Sequence, residues 1–281
     1  MTDTTRIWLI TGCSTGLGFA LAQAVLERGE RVVLTARRPE QLAELAAPHG
    51  ARALVTRLDV TDGGSIDEAV AAAHARFGRI DVLVNAAGYG YLAAIEEGQD
   101  DAIRAQFETN VFGLLAVMRR VLPAMRARRS GHIVNFSSIG GLVALPSTGY
   151  YHATKFAVEA LSESLWHETA PLGVKVTLVE PGPFRTEFAG RSLVTSPIVI
   201  ADYADTAGKR AAQSRAHSGK QAGDPVRAAA AIIEAVEADQ PPLRLVLGQT
   251  ALKMAYAKLD TLRDNFDAWR DVSVNVDFPP L

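Results

Sequence analysis

A tyrosine and a lysine four residues apart are the residues of this chain best placed for acid–base chemistry. Tyr151 and Lys155 lie in the segment YHATK, and Lys155 is the first lysine of the 281-residue chain. On a helix this spacing puts the phenol and the ammonium on one face. We therefore expect Lys155 to lower the tyrosine pKa from about 10 towards neutrality, so that the phenol can donate and take back a proton. Tyr150 lies four residues before the uncharged Thr154, so the spacing selects Tyr151.

Three further segments stand upstream in a fixed order. A glycine loop, G-x-x-x-G-x-G, occupies 12–18, the tetrapeptide NAAG occupies 85–88, and Ser138 precedes Tyr151 by thirteen residues. Together with Tyr151 and Lys155, this set resembles the short-chain dehydrogenase/reductase family from about residue 6 to about residue 186. The resemblance implies a single-domain, NAD(P)(H)-dependent oxidoreductase.

The resemblance also assigns the catalytic roles. Tyr151 would be the general acid in carbonyl reduction and the base in alcohol oxidation, while Lys155 would bind the nicotinamide ribose. Ser138 would orient the substrate oxygen, and Asn110 would hold a water that links the lysine to solvent. Hydride transfer would be the chemistry of the cofactor.

The cofactor site is expected between the first strand and the first helix, where glycines allow close approach and helix N–H groups face a pyrophosphate. No acidic residue lies between Arg31 and Pro39, but two arginines, Arg37 and Arg38, lie there. A guanidinium there would pair with a 2′-phosphate, which favours NADP over NAD. Asp59 either contacts the adenine or caps the next turn. The full expected set is Gly12, Ser14, Thr15, Gly16, Leu17, Gly18, Arg37, Arg38, Asp59, Val60, Asn85, Ala86, Gly88, Tyr151, Lys155, Pro181, Gly182 and Thr186.

Apolar residues beside these motifs indicate a lipophilic ketone or secondary alcohol as substrate. The expected pocket residues are Tyr89, Tyr91, Ile139, Leu145, Phe184 and Phe188. One alternative is a 3-oxoacyl-thioester reductase, with Arg126, Arg128 and Arg129 docking an acidic carrier. Another is a non-catalytic NADP(H) sensor, which would have no use for Ser138, Tyr151 and Lys155. The six histidines show no metal-ligand spacing, so no metal site is predicted, and His152 is expected to point away from the site.

Apolar runs alternate along the chain with stretches of helical character. Strands are expected at 7–10, 31–35, 53–55, 82–84, 132–136, 174–179 and 243–247, and helices at 16–29, at 65–77 with Ser65 as N-cap, and at 249–270. This alternation predicts an α/β fold: a Rossmann-like, doubly wound, mostly parallel seven-stranded sheet with helices on both faces. We expect one domain over 1–281, with a substrate lid inserted near 187–224 and an extra C-terminal segment near 249–281.

Composition narrows the function classes. The net charge of −2 and the 48% hydrophobic content do not indicate a nucleic-acid-binding surface. The single cysteine, Cys13, excludes an internal disulfide and fits a cytoplasmic protein, and no membrane span is predicted. Two helices, expected near 102–128 and 150–170, carry apolar residues beyond one face, namely Phe112, Leu115, Met118, Phe156, Leu161 and Trp166. The family resemblance implies that these helices pair across a two-fold axis, so a homotetramer or dimer is expected.

Overall fold

A seven-stranded parallel sheet forms the centre of the computed structural model, which describes residues 5–190 and 192–278. Its strand order is β3-β2-β1-β4-β6-β7-β9, and every described pairing is parallel. The reversal of order between β1 and β4 is the switch point at which doubly wound sheets bind ligands. The strands of the described residues are β1 Ile7–Thr11, β2 Arg31–Ala36, β3 Ala53–Arg57, β4 Val82–Asn85, β5 Gly90–Leu92, β6 Gly131–Phe136, β7 Val174–Pro181, β8 Leu193–Thr195 and β9 Arg244–Leu247.

Helices cover both faces of the sheet because alternate residues of each strand are apolar on each side. Trp8 and Ile10 of β1 enter one core cluster, and Leu9 enters the other. The first cluster contains buried side chains of α1 and α8, and the second those of α3, α5 and α6. The predicted doubly wound fold is confirmed. The helices are α1 Gly16–Glu27, α2 Ala43–Ala46, α3 Gly63–Phe77, α4 Asp100–Phe107, α5 Leu114–Arg128, α6 Gly149–Thr169, α7 Lys209–Ala216, α8 Pro225–Glu237, α9 Gln249–Ala268 and α10 Arg270–Val274.

Helix α3 begins at Gly63, two residues before the predicted start at Ser65. Asp62, not Ser65, is the N-cap, and its carboxylate accepts hydrogen bonds from the backbone N–H groups of Gly64 and Ser65. The Ser65 hydroxyl instead accepts from the N–H of Asp59. An aspartate accepts from first-turn N–H groups as readily as a serine, and here it lies three residues earlier.

The segment expected as a lid over 187–224 contains the short helix α7 and the strand β8. Strand β8 pairs with β5, which follows the NAAG tetrapeptide, in a separate two-stranded parallel sheet. The segment is therefore attached to the carboxyl edge of the main sheet, where the sequence motifs converge.

The C-terminal segment forms the predicted helix, α9, followed by the short α10. Only Ala251 and Ala255 of α9 are buried, and most of its larger apolar side chains, such as Leu252, Leu259 and Phe266, are exposed. Among the described residues, no helix has both the length and the apolar character that a membrane crossing requires.

Candidate active site

The motifs predicted from sequence meet at one edge because the carboxyl ends of parallel strands share an edge. The glycine loop follows β1, NAAG follows β4, Ser138 follows β6, and Gly182 follows β7. Helix α6 supplies Tyr151 and Lys155 from one side.

The glycine loop and the NAAG segment are packed against each other. Gly12 has a φ of +72°, and a Cβ there would lie 2.9 Å from the Ala87 backbone. A Cβ on Gly18 would lie 2.6 Å from the Gly12 carbonyl oxygen. The Thr11 hydroxyl accepts from the N–H groups of Ala86 at 3.0 Å and of Ala87. Only glycine permits this approach at positions 12 and 18.

The N-terminus of α1 faces the same edge. Its N-cap, Thr15, makes no side-chain capping bond, and the first turn carries no acid. A Cβ on Gly16 would lie 3.9 Å from Cβ of Thr186, so the glycine loop meets the segment after β7. Helix N–H groups without a side-chain cap, next to glycines, fit a dinucleotide pyrophosphate.

Two exposed arginines mark the end of β2. Arg37 and Arg38 follow the buried Ala36, and Arg37 lies near enough to Tyr89 to lower the pKa of its phenol, against a larger upward shift from burial. Tyr89, expected in the substrate pocket, is therefore on the nucleotide side of the site.

The three residues predicted to be catalytic lie close together. Ser138 lies near enough to the Tyr151 hydroxyl to lower the pKa of the phenol, against a larger upward shift from burial, and Nζ of Lys155 lies 5.7 Å from the centre of the Tyr151 ring. Ser138 also accepts from the Gly140 N–H at 3.0 Å. The predicted register of tyrosine and lysine on one helix face brings them to the same point as the serine.

The pKa of the tyrosine shifts in the direction opposite to our expectation. Burial raises the pKa of Tyr151 to about 12, although the nearby Ser138 works against that shift. Burial also lowers the pKa of Lys155 to about 8, and the Glu159 carboxylate opposes this. The ammonium donates to the Phe136 carbonyl at 2.7 Å rather than to the phenol, which explains why it does not bring the tyrosine pKa down.

Asn110 lies in a π-helical turn, Glu108–Gly113, between α4 and α5. Its Oδ1 accepts from the Tyr89 N–H, and its Nδ2 donates to the Tyr89 carbonyl and to Thr154. A Cβ on Gly88 would lie 3.0 Å from the Asn110 Oδ1 and 3.8 Å from Nζ of Lys155. Asn110 thus fixes the chain after NAAG beside the lysine.

Three predicted cofactor residues are engaged elsewhere. Asn85 is buried, and its amide donates to Asn135, which joins β4 to β6. Val60 is buried against Gly113. The Asp59 carboxylate accepts from the N–H and the hydroxyl of Thr61, as in the capping alternative.

Cys13 is fully buried. Burial raises the pKa of its thiol to about 12, so it fills the loop and is no nucleophile at neutral pH.

Phe188 and His152 adjoin the catalytic tyrosine. The ring centres of Phe188 and Tyr151 are 5.6 Å apart. His152, expected to point away from the site, is buried: its Nδ1 accepts from the Leu145 N–H at 3.0 Å, and burial lowers its pKa to about 4. It therefore holds the loop after Ser138, which includes the partly buried Ile139 and Leu145.

Two expected pocket residues do not reach the catalytic group. Tyr91 is 1% exposed, and its hydroxyl accepts from the Gln99 N–H. Phe184 packs against Gly223 and lines a separate surface pocket beside Asp224. Successive side chains along a strand point to opposite faces of the sheet. The sequence does not show which of the two faces the site.

A buried group of charged residues behind Lys155 was missed from sequence. Glu159 lies one turn beyond the lysine on α6, Glu180 lies in β7, and Arg244 bridges them. The sequence does contain a signal for this group: a glutamate lies inside the apolar run 174–181, and an arginine begins the run 244–247.

Comparison with known proteins places the fold and the motifs in one family. The family model for short chain dehydrogenases matches residues 6–195. An oxidoreductase of Botryotinia fuckeliana is 40% identical over 271 residues, 96% of this chain and 98% of that protein. A 3-ketodihydrosphingosine reductase of Bacteroides thetaiotaomicron is 37% identical over 262 residues, 92% of this chain and 94% of that protein.

Solved structures give the same result. The crystal structure of a short-chain dehydrogenase from Streptomyces avermitilis superposes with a TM-score of 0.91 at 42% identity and covers 99% of this chain and 100% of that one. An alcohol dehydrogenase from Thermococcus sibiricus, solved with 5-hydroxy-NADP, is 26% identical with a TM-score of 0.71 and covers 86% of this chain and 96% of that one. A short-chain dehydrogenase/reductase from Burkholderia phymatum, solved with NAD, is also 26% identical, with a TM-score of 0.78, and covers 99% of this chain and 98% of that one. The chain thus belongs to the short-chain dehydrogenase/reductase family and is an oxidoreductase.

Proposed function

We propose that the protein is an NADP(H)-preferring oxidoreductase that interconverts a carbonyl and an alcohol on a lipophilic small molecule. The observation that carries this proposal is the position of Tyr151, which has Ser138 near its hydroxyl, Lys155 beside its ring and the apolar Phe188 ring against it. A proton donor, an orienting hydroxyl and an apolar surface at one point suit a lipophilic carbonyl.

In this proposal, each side chain has one task. Ser138 donates a hydrogen bond to the substrate oxygen and orients it, and Tyr151 moves the proton at its hydroxyl. Because burial raises the pKa of Tyr151 to about 12, the phenol is protonated at neutral pH and is ready to act as the acid in carbonyl reduction. The nicotinamide, when bound, supplies or accepts the hydride.

The glycine loop, the N-terminus of α1 and Lys155 would hold the cofactor, and Arg37 and Arg38 would choose its type. Both arginines are exposed at the end of β2, and no acid lies between them and Arg31. The relatives solved with an NADP derivative and with NAD support a nicotinamide cofactor in general. The arginine pair supports the phosphorylated form.

The relatives support a lipophilic substrate, since one of them is named as a reductase of 3-ketodihydrosphingosine. The alternative of a carrier-bound 3-oxoacyl thioester loses its main support. Arg128 donates to the Ile80 carbonyl and Arg129 to the Pro171 carbonyl, so two arginines of the expected docking cluster are bound to backbone.

We also propose a cytoplasmic homo-oligomer. Phe112, Phe156 and Trp166 are 54%, 44% and 38% exposed, more than a helix face without a partner usually presents. Met118, which we had placed on that surface, is 5% exposed and belongs to the core. The one cysteine is a buried free thiol, which suits a reducing compartment.

The test is turnover by the purified protein against a panel of long-chain and ring ketones and the matching alcohols. We expect NADPH oxidation with lipophilic ketones, faster than with NADH, while short polar ketones serve as the matched control. Tight NADPH binding with no turnover on any carbonyl would favour a sensor and contradict the proposal.

A further inference from the structure

Three charged side chains are packed behind the catalytic lysine, where the proposed reaction gives them no task. Glu159 is 6% exposed and Glu180 is 0% exposed, and Arg244 reaches both from the neighbouring strand β9. Buried carboxylates are expensive unless they are paired, so the way they are neutralised matters.

Arg244 cannot neutralise both carboxylates. Its Nη1 donates to Oε2 of Glu159 in a very short contact and to Oε1 of Glu180 at 3.2 Å. Its Nη2 donates to the half-exposed Glu163 at 2.6 Å. One guanidinium thus contacts two buried carboxyl groups, and among the described residues no second cation lies within ion-pair distance of either. At contact distance the pair therefore carries an excess negative charge unless one group is protonated.

The remaining two oxygens of the pair indicate where a proton sits. Oε1 of Glu159 and Oε2 of Glu180 are buried, and neither finds a hydrogen-bond partner among the described residues. A proton on one of the two carboxyls would remove the excess charge and would turn one unpartnered acceptor into a donor. Consistently, burial and the neighbouring Glu159 raise the pKa of Glu180 to about 7.

The pair is connected to the catalytic residues. Glu159 lies one helical turn from Lys155 and is the charged group that keeps the pKa of the lysine from falling further. It also adjoins the chain before Ser138: a Cβ on Gly141 would lie 2.5 Å from the Ser137 hydroxyl and 2.9 Å from Oε1 of Glu159.

We propose that Glu159 and Glu180 share one proton, carried by Glu180, and that the resulting Glu159 carboxylate is a positioning residue that keeps Lys155 charged as an ammonium. The proton is placed on Glu180 because it is the more deeply buried of the two glutamates, 0% exposed against 6% for Glu159. The inference rests on the role that the proposed function gives to Lys155.

Few other titratable groups face the pair. Helix α6 brings Tyr151, Lys155 and Glu163, β7 brings Glu180 itself, and β9 brings Arg244. The turn Ile139–Gly141, which packs against α6, carries no titratable side chain.

Glutamine substitutions separate the two glutamates because a carboxamide resembles a protonated carboxyl. Glu180→Gln should leave the pH profile of kcat/KM close to wild type, because Glu159 and not Glu180 is the charge that supports Lys155. Glu159→Gln removes the charge that supports Lys155, so its pKa falls and the loss of carbonyl reduction at high pH should begin about 1 pH unit lower. The matched control is Glu163→Gln, which removes an exposed partner of the same arginine and should change nothing. An equal shift in Glu159→Gln and Glu180→Gln, or no shift in Glu159→Gln, would overturn the proposal.

Two readouts do not depend on activity. The chain has six lysines, so the titration of Lys155 is resolvable by NMR with ¹⁵N-lysine, and Glu159→Gln should lower its midpoint in step with the pH profile. If Lys155 titrates as expected while no carbonyl is reduced, the proposed function fails and the lysine–glutamate coupling stands.

Infrared spectroscopy tests whether Glu180 carries the shared proton, and this test does not require Glu159→Gln to fold. Below pH 7, the spectrum of the wild type minus that of Glu180→Gln should contain the C=O band of a buried protonated carboxyl. Absence of that band would show that both glutamates are ionised and would overturn the proposal.

Discussion

The carboxyl edge of the sheet and the C-terminal segment differ in how their side chains are satisfied. At the edge, Thr11, Asn110 and Lys155 all bond to named groups of neighbouring segments. Along α9, by contrast, Leu259 and Phe266 are more than half exposed. The positions of the proposed catalytic residues follow from motif spacing within one chain, which the sequence displays. An exposed apolar helix face, by contrast, can be buried only by a partner.

Helix α6 shows the same contrast between its own two faces. Lys155 and Glu159 are buried towards the sheet, while Phe156 and Trp166 face outward. The following predictions test this division between an inner, catalytic face and an outer, associating face.

The largest effect on cofactor binding is expected at the packed glycines. Gly18→Ala would place a Cβ 2.6 Å from the Gly12 carbonyl oxygen and push the nucleotide loop out of place. Overpacking of this kind costs about 1–3 kcal/mol, so we expect NADPH affinity, measured by calorimetry, to fall at least ~10-fold. The matched control is Gly64→Ala, where the added Cβ lies 3.4 Å from Asp62, an ordinary contact. Equal affinities in the two variants would contradict the assigned loop.

A smaller effect is expected on the preference for NADPH over NADH. Arg37→Asp replaces a phosphate partner with a carboxylate that accepts from a ribose hydroxyl, so the NADPH-to-NADH ratio of kcat/KM should fall at least ~10-fold. Position 37 is preferable to Ala36, which is buried and would make a carboxylate costly. Arg57→Ala is the control, since Arg57 ends the adjacent strand and pairs with Asp62. An unchanged ratio in Arg37→Asp would remove Arg37 from the site.

Much of the fold follows from the sequence, because apolar strands alternate with helices and each glycine motif stands at a strand end. The register of Tyr151 with Lys155 is a property of one helix and was therefore predictable. The burial of Tyr91 and the position of Phe184 beside Asp224 were not predictable, because the direction of a side chain at a loop depends on tertiary packing.

The pKa of Tyr151 and the buried glutamates were unpredictable for a related reason. The lysine's charge is directed at the Phe136 carbonyl, and burial of the phenol outweighs it. Glu159, Glu180 and Arg244 come together from three elements that are distant in sequence, so no local spacing announces them.

The smallest effect on activity is expected on the outer face. Phe156→Glu puts a charge on the surface proposed for association, so light scattering at micromolar concentration should show a smaller species than wild type. Val226→Glu, on the exposed side of α8, should leave the assembly unchanged. A wild type that scatters as a single 30.0 kDa chain would contradict the proposed oligomer.

The central claim is that Tyr151, and not its neighbour, moves the proton. Tyr150 packs on Tyr91, and its hydroxyl donates to the Ile95 carbonyl, so Tyr150→Phe keeps the ring and should keep activity. Tyr151→Phe should bind NADPH like the wild type while turnover falls at least ~100-fold, the scale of a lost general acid. The two variants are compared in one assay of NADPH binding and ketone reduction. Near-normal turnover in Tyr151→Phe, or inactivation by Tyr150→Phe alone, would contradict the account.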